Sequence, residues 1–159
     1  MHPRAQLLID ELGLQPHPEG GFFREIHRST QRVQPRDGRA ERAALTTIYF
    51  LLAAPGFSRW HRVASDEVWH LYEGGPLELR IADPQIDAIE IVRLDRVDAA
   101  IRPVATVPAG YWQAARPLGD YALIGATVGP GFEFEDFAFL DPTSSLAARL
   151  HNPIDRSLL

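Results

Sequence analysis

The stretch GFSRWHRVASDEVWHLYEG, residues 56–74, contains two short runs that are typical of β-strands. If both are strands, His61 and Val63 share one face of the first, because successive side chains alternate between faces. By the same alternation, Glu67, Trp69 and Leu71 share one face of the second. Only a few residues connect the runs. We therefore expect neighbouring strands in which the His61 imidazole approaches the Glu67 carboxylate.

A second informative stretch, VPAGYWQAARP at residues 107–117, combines a turn with a strand. Pro108 and Gly110 favour the turn. In the strand that follows, Tyr111, Gln113 and Ala115 occupy one face, because side chains alternate. The polar amide of Gln113 is therefore expected among apolar neighbours.

The rest of the chain predicts a mostly β domain preceded by one helix. An amphipathic helix near the N-terminus is indicated by the i, i+3, i+4, i+7 spacing of Ala5, Leu8, Ile9 and Leu12. Residues 16–21, PHPEGG, form a shaped turn, since two prolines fix φ and the glycine pair permits positive φ. Short runs separated by Pro and Gly then predict strands at residues 22–28, 45–52, 57–63, 67–72, 77–82, 86–94, 101–107, 111–115, 121–128 and 132–140. Residues 144–150 are expected to form a brief helix.

The composition limits the class of protein. The 159 residues are 45% hydrophobic and 23% charged, which is ordinary for one soluble globular domain. A net charge of -5 gives no reason to expect nucleic acid or a membrane surface as a partner. No cysteine is present, so disulfides and thiolate metal sites are excluded. The apolar stretch at the N-terminus is short and broken by charges, so no signal peptide or membrane span is expected, and the predicted location is cytoplasmic.

Two charged segments lie outside these motifs. Residues 31–43 are rich in arginine and show no apolar period, and we interpret them as an exposed loop. The alternative is a flap that contacts an anionic ligand. Glu135 and Asp136 lie in the last, Phe-rich run, and we expect them at its solvated edge.

The two quoted stretches resemble the motifs of the cupin superfamily. His61, Glu67 and Gly74 match the first cupin motif, and Pro108 and Gly110 match the second. The resemblance implies a barrel with a pocket inside it.

A closer resemblance, to the cupin-5 family (domain of unknown function 985), covers nearly the whole chain. Six blocks carry it in order, at residues 16–25, 47–52, 58–63, 66–70, 107–113 and 130–137. It implies an all-β fold, the cupin jelly-roll (RmlC-like) double-stranded β-helix barrel, as a single domain over residues 1–159. The barrel core would span about residues 44–140, with a short N-terminal helix and strand at 3–30 and a tail at 141–159. It also implies a homodimer and a physiological activity that is largely unassigned.

Metal-binding cupins usually hold the ion with three His and one Glu. Here Val63 and Gln113 stand where two of these His residues would be, and Pro117 replaces the Asn of the second motif. Because an amide oxygen is a poor ligand for zinc, nickel or iron, we expect no tightly bound metal cofactor. A weakly bound divalent metal, if present, would be held by His61, Glu67 and Gln113.

The candidate catalytic residues are His61 and Glu67. An imidazole titrates near neutral pH and a neighbouring carboxylate raises its pKa, so His61 is suited to transfer a proton beside a sugar carbonyl. Gln113 would orient the ligand. The first hypothesis is an isomerase or epimerase that acts on a small polar, sugar-like molecule. The alternatives are a metabolite-binding module without chemistry, a metal-dependent enzyme, and a His–Glu hydrogen bond that only satisfies the interior.

Further ligand-binding candidates are Ser58, Trp69, Tyr111, Arg24, Glu25 and His70. Arg24 and Glu25 follow the shaped turn and are placed to close one end of the pocket, with an exposed ion pair as the alternative. His70 lies on the opposite strand face from Glu67, so its side chain is expected to point away unless a bulge intervenes. The three tryptophans either shield a ligand or belong to the core or a dimer interface.

Overall fold

A computed structural model describes residues 1–98 and 100–159 of the chain. Its strands are β1 (Gln15–Pro16), β2 (Phe22–Arg28), β3 (Arg32–Val33), β4 (Arg42–Ala43), β5 (Thr46–Ala53), β6 (Ser58–Val63), β7 (Asp66–Gly74), β8 (Leu77–Ala82), β9 (Ile89–Leu94), β10 (Val104–Val107), β11 (Trp112–Pro117), β12 (Tyr121–Gly129) and β13 (Phe137–Phe139). The helices are α1 (Pro3–Leu12) and α2 (Pro153–Ser157), with single 3-10 turns at Phe134–Asp136 and Ala147–Arg149. The helices in the described ranges lack the length and apolar character that a membrane span requires.

Two antiparallel sheets form the body of the protein. The first has the strand order β1-β2-β5-β12-β7-β10, and the second has the order β13-β6-β11-β8-β9. A separate ribbon pairs β3 with β4. In the described ranges, no ladder joins a strand of one sheet to a strand of the other. The predicted mostly β class is confirmed, whereas closure of the strands into a jelly-roll barrel is not.

The sheets pack face to face around an apolar core. The first sheet contributes Phe50, Leu52, Trp69, Ala122 and Ile124, and the second contributes Leu77, Leu79, Ile81, Leu94 and Ala115. Leu77 and Leu79 are completely buried, as the alternation in residues 77–82 predicts. Burial of one such leucine contributes about 1.5–3 kcal/mol to folding.

The terminal segments cover the outer faces of the sheets. Helix α1 begins with Pro3 at its first position. Gly13 caps its C-terminal end with a φ of +62°, which suits glycine. Its Ala5 and Leu8 pack against Leu51 of the first sheet, which confirms the predicted amphipathic helix. The C-terminal tail covers the second sheet in the same way.

Strands β6 and β7 are not neighbours, which corrects the prediction from their short connection. β6 pairs with β11 and β13 in the second sheet, and β7 pairs with β12 and β10 in the first. The two residues between the strands carry the chain from one sheet to the other. His61 and Glu67 therefore line the interior from opposite sheets instead of lying side by side on one.

The interpretation of residues 31–43 as an exposed loop is confirmed for most of them, but it is wrong for Pro35, Arg42 and Ala43, which are buried, and for Arg39, which is partly buried. Arg42 is 4% exposed and binds Asp136 through two hydrogen bonds of 2.9 Å, and Arg39 donates to the same carboxylate at 2.9 Å. The Asp136 side chain is therefore buried, and these hydrogen bonds hold its pKa below the usual value. The prediction of a solvated edge is wrong for Asp136 but confirmed for Glu135, whose side chain is 69% exposed.

Several predicted element boundaries also differ. The last Phe-rich run contains a 3-10 turn, and only Phe137–Phe139 is a strand, because the arginine contacts hold the preceding residues out of the sheet. The run at 86–94 becomes a strand only at Ile89, since Asp83 accepts hydrogen bonds from three backbone N–H groups of the preceding turn. The brief helix predicted at 144–150 is a 3-10 turn at Ala147–Arg149, and α2 was not predicted.

A buried ion pair holds the C-terminal tail to the second sheet. Arg80 of β8 donates to the Asp155 carboxylate of α2 at 2.5 Å, and both side chains are nearly inaccessible. The indole of Trp60 donates to the Asp155 carbonyl oxygen at 2.8 Å. The tail is thus fixed by two polar contacts beneath an apolar cover.

We expect Asp155→Asn to lower the free energy of unfolding by about 2 kcal/mol, because it removes the charged acceptor of Nη1 of the buried Arg80, which keeps Glu78 as its other carboxylate partner. The matched control is Glu41→Gln. Glu41 pairs with Arg32 in a contact where the two side chains are 55% and 47% exposed, and we expect a loss below about 1 kcal/mol. Urea unfolding of both variants measures the difference, and equal losses would contradict the structural role of the pair.

Candidate functional site

A cavity of about 100 Å³ lies between the two sheets. Four titratable side chains, His17, Glu19, His61 and Glu67, line its buried part. Three charged side chains, Glu25, Arg28 and Glu133, line its more exposed part, which we call the mouth. Most of the remaining wall is aromatic or aliphatic: Phe23, Ile48, Phe50, Val63, Trp69, Val128, Phe132, Phe134 and Phe137.

The PHPEGG turn brings His17 and Glu19 into this cavity. Gly20 has a φ of +115°, and a Cβ there would lie 2.0 Å from the carbonyl oxygen of Phe57. Only glycine fits, so the turn packs directly on the backbone at the start of β6. The Glu19 carbonyl oxygen then accepts from the backbone N–H of Arg59 at 2.9 Å.

The Glu19 carboxyl group is the centre of the buried polar cluster. Its Oε2 atom lies 3.3 Å from Nε2 of His61 and 3.5 Å from Nδ1 of His17. The Ser58 hydroxyl donates to its Oε1 atom at 2.8 Å. One carboxyl group therefore connects the turn to two side chains of β6.

Backbone contacts determine which nitrogen of each imidazole carries a proton. Nδ1 of His61 lies 2.7 Å from the carbonyl oxygen of Arg59, which can only accept, so this nitrogen donates. Nδ1 of His17 accepts from the backbone N–H of Glu19 at 3.3 Å. When both rings are neutral, the lone pair on Nε2 of His61 therefore faces Oε2 of Glu19, whereas the lone pair on Nδ1 of His17 already accepts from the backbone. A proton on Oε2 satisfies the His61 lone pair.

Glu67 is oriented from the opposite wall by a short chain of hydrogen bonds. The indole N–H of Trp69 donates to Oε1 of Gln113 at 3.0 Å, and Nε2 of Gln113 donates to Oε2 of Glu67 at 2.5 Å. In the described part of the chain, the other Glu67 oxygen, Oε1, accepts no side-chain or backbone hydrogen bond. Glu67 is 7% exposed and lines the cavity, so this oxygen is available to a ligand.

Burial shifts the pKa of each of the four groups in the direction that favours its neutral form. It raises the pKa of Glu19 to about 8 and that of Glu67 to about 7. It lowers the pKa of His17 to about 4. Burial also lowers the pKa of His61, and it outweighs the Glu67 carboxylate, which we expected to raise it. Near neutral pH the cavity holds a protonated Glu19, two neutral imidazoles and a Glu67 near its midpoint.

The structure brings some of the predicted site residues to the cavity and leaves others outside. His61, Glu67, Trp69 and Glu25 line it. Ser58 and Gln113 lie one layer behind and hold its two carboxyl groups. The others are outside: Tyr111 packs on the core, the Arg24 guanidinium donates to the Leu12 carbonyl oxygen, and the His70 ring stacks on Tyr72.

His17 and Glu19 are functional residues that the sequence argument missed. The carboxyl group closest to the His61 ring nitrogens is that of Glu19, with 3.3 Å between Nε2 and Oε2, and not that of the predicted Glu67. A usable signal was present, because PHPEGG combines a His and a Glu with a turn whose prolines and glycines limit its conformation. A turn whose backbone conformation is so restricted can hold functional side chains in fixed positions.

Two facing antiparallel sheets, with an interior cavity lined by a histidine of one sheet and a glutamate of the other, are the arrangement of a cupin. The chain belongs to the Cupin superfamily (DUF985), whose family model matches residues 6–140.

Similar proteins share the fold over most of the chain. A hypothetical protein from Leishmania major has a TM-score of 0.87 and 31% identity, and the match covers 97% of each chain. Protein SO0799 from Shewanella oneidensis has a TM-score of 0.86 and 32% identity, over 97% of this chain and 96% of its own. The uncharacterized protein YML079W of Saccharomyces cerevisiae is 28% identical over 85% of this chain and 74% of its own length. Oxalate decarboxylase from Bacillus subtilis, at 16% identity and a TM-score of 0.57 over 79% of this chain and 29% of its own, shares the fold alone.

The metal site of metal-binding cupins does not fit these residues. In residues 1–98 and 100–159, no group of three or more His, Asp or Glu side chains is arranged to hold a metal ion. The Gln113 oxygen that would bind the metal accepts from Trp69 instead, and both nitrogens of His61 face protein groups. The set of His61, Glu67 and Gln113 is therefore not a metal site in this arrangement.

We expect Glu19→Gln to gain stability relative to the wild type as the pH rises from 5 to 8. Unfolded Glu19 ionises above its ordinary pKa of 4.5, whereas the folded group keeps its proton up to about pH 8. Unfolding between these values releases a proton, so wild-type stability falls with rising pH, by at most about 1.4 kcal/mol per pH unit. Glutamine has no such proton. Urea unfolding at several pH values measures the difference.

The control for this experiment is Glu73→Gln. Hydrogen bonds from Arg4 and Tyr121 lower the pKa of Glu73 to about 2, so the carboxylate is ionised in both states between pH 5 and 8. Its stability difference from the wild type should stay constant over that range. A constant difference for Glu19→Gln as well would show that Glu19 is not a buried, protonated acid.

Proposed function

We propose that this protein is an acid–base isomerase or epimerase acting on a small, polar, sugar-like carbonyl compound that is not an anion. The observation that carries the proposal is the pair of buried carboxyl groups on opposite walls of one cavity. Glu19 belongs to the wall formed with β6, and Glu67 lies on β7. Their pKa values of about 8 and 7 suit them to donate and accept a proton at neutral pH.

Each carboxyl group has a distinct role in the proposed reaction. The Glu67 carboxylate removes the hydrogen on the carbon next to the substrate carbonyl, through its available oxygen. The proton of Glu19 passes to the carbonyl oxygen, which forms a neutral enediol. Return of the Glu67 proton to the former carbonyl carbon, with transfer of the proton of the adjacent hydroxyl to Glu19, yields the isomer. The epimer forms when the enediol turns over in the cavity and the proton returns to the original carbon on its opposite face. Proton transfer of this kind contributes about 10²–10⁴-fold to the rate.

The imidazoles and Gln113 act as positioning residues in this scheme. His61 orients Glu19, because its Nε2 lone pair faces Oε2 at 3.3 Å, and the His17 ring lies 3.5 Å from the same oxygen. Gln113 fixes the orientation of Glu67 and donates only to Oε2. The sequence contains neither lysine nor cysteine, so no lysine Schiff base or thiolate nucleophile of this chain competes with enolisation.

The charge of the cavity argues against an anionic substrate. Glu67 is partly ionised, and Arg28 is already bound by Glu25 and Glu133. An anion would therefore meet carboxylates without a free cation to balance it. The arginine-rich segment at 31–43 does not supply one, because Arg39 and Arg42 are bound to Asp136 and do not line the cavity.

A metabolite-binding module without chemistry is the second candidate function. It is favoured by the hydrogen bonds around the cavity: in the described residues, every side-chain nitrogen or oxygen that is closed off from solvent has a partner, and Oε1 of Glu67, which has none, is open to the cavity. Such a preorganised site binds a ligand with little rearrangement. The homodimer that the family resemblance implies and the cytoplasmic location that the N-terminal sequence indicates stay predictions, and sedimentation analysis tests the first of them.

We expect the wild-type protein to exchange the hydrogen next to the carbonyl for deuterium in at least one of the non-anionic aldoses and ketoses from trioses to hexoses, amino sugars included. Glu67→Gln should slow this exchange about 100-fold or more, because it removes the base. The rate should pass through a maximum between pH 7 and 8, the pKa values of the coupled carboxyl pair. Proton NMR in deuterium oxide measures the exchange.

Tyr72→Phe is the control for that experiment, because Tyr72 is 53% exposed and lies outside the cavity lining. Its exchange rate should equal that of the wild type. If the wild type exchanged none of these sugars, the isomerase proposal would fail. If one of them raised the melting temperature yet kept its hydrogen, the binding module would replace it.

A further inference from the structure

The cavity has an excess of negative groups. Glu19, Glu25, Glu67 and Glu133 line it together with a single arginine, Arg28. Arg28 donates to Glu25 at 2.8 and 3.0 Å and to Glu133 at 2.7 Å, so these two carboxylates already balance its charge at the mouth. With Glu19 protonated, the mouth retains one net negative charge, and Glu67 adds to it whenever it ionises.

Aromatic rings surround this negative site in a continuous series of contacts. Phe132 meets Phe134 edge-to-face at 5.1 Å, and Phe134 stacks on His17 at 6.2 Å. His17 contacts Phe50 at 5.8 Å, and Phe50 contacts Trp69 at 6.1 Å. The rings therefore extend from the mouth to the buried end. Ring faces attract cations, and the attraction strengthens where water is excluded.

One oxygen of a buried side chain is accessible from the same space. Glu67 is more than nine-tenths buried, and in the described part of the chain its Oε1 atom has no hydrogen-bond donor. An ammonium group placed there would gain a charge-assisted contact that no neutral ligand can make. Aromatic walls, excess carboxylates and an available buried oxygen independently favour the same class of ligand.

We infer that the cavity recognises the positively charged end of a small organic ammonium compound. Phe134 and Phe137 supply ring surface to the cation, Glu67 balances its charge at depth, and Glu133 balances it at the mouth. The substrate of the proposed isomerase would then be an amino-substituted carbonyl compound. The inference rests on the proposed function for the choice of binding site, but it does not require that proton transfer takes place there.

The test compares three probes of nearly equal shape that differ in charge: choline, its neutral carbon analogue 3,3-dimethylbutan-1-ol, and the anion 3,3-dimethylbutanoate. We expect choline to bind about tenfold or more tightly than the alcohol, and the anion not to bind. Methyl NMR titration measures each dissociation constant. The methyl signals of Ile48 and Val63, which line the cavity, should move with choline.

A pair of glutamate variants tests the charge directly. Glu133→Gln removes a carboxylate from the cavity lining, whereas Glu135→Gln removes one two residues away that does not line it. The choline-to-alcohol ratio should fall about threefold or more in the first variant and stay unchanged in the second. Phe134→Leu tests the ring contribution, and because Phe134 is 58% exposed, the fold should tolerate it. It should weaken choline binding more than alcohol binding.

The outcomes separate this inference from the proposed reaction. Equal binding of choline and the alcohol, preference for the anion, or the absence of choline binding each overturns the inference. Selective choline binding by a protein that exchanges no sugar hydrogen would support the cation site and reject the isomerase. Hydrogen exchange of a neutral sugar without choline selectivity would do the reverse.

Discussion

The Glu19 carboxyl group is enclosed with two imidazoles and a hydroxyl, so a proton has to be shared within this cluster. This requirement determines the electrostatics of the interior. An ionised carboxylate at the Glu19 position would lose its hydration without a cation to replace it. The neutral acid avoids that cost, because its Oε2 atom lies 3.3 Å from Nε2 of His61, which has a free lone pair. The electrostatics of the whole cavity follow from this neutral cluster.

The same contact also connects the two sheets mechanically. Glu19 belongs to the turn between β1 and β2 of the first sheet, whereas its partners Ser58 and His61 belong to β6 of the second. The close approach at Gly20 places the backbone of the turn directly on the start of β6. Chemistry and architecture are therefore coupled at one point, and a change that moves the turn also moves the acid.

Periodicity accounts for the parts of this structure that were predictable from the sequence. The faces of β6, β7 and β11 follow from alternation alone, which is why His61, Glu67 and Gln113 are inward as expected. Helix α1 follows from its spacing and its Pro and Gly ends. Alternation says nothing about which sheet a strand joins, so β6 and β7 were expected side by side although they face each other.

Contacts between distant parts of the chain account for what was missed. Glu19 and Ser58 are 39 residues apart, and Arg42 and Asp136 are 94 apart. Neither pair leaves a periodic trace, because residues in turns and loops are positioned by partners instead of by a repeating backbone. The segment at 31–43 shows no apolar period for the same reason: a buried guanidinium–carboxylate pair holds it to the protein.

The bridge that Arg28 makes across the mouth divides the cavity into two electrical environments. Its ion pairs with Glu25 and Glu133 are about one-third exposed, so dissolved salt screens them, whereas the carboxyl groups at depth lie beyond the reach of counterions. Ionic strength therefore acts on the entrance and leaves the interior chemistry almost untouched. A charged molecule that enters this cavity therefore passes from a region where dissolved ions screen its charge to one where only the side chains of the protein can balance it.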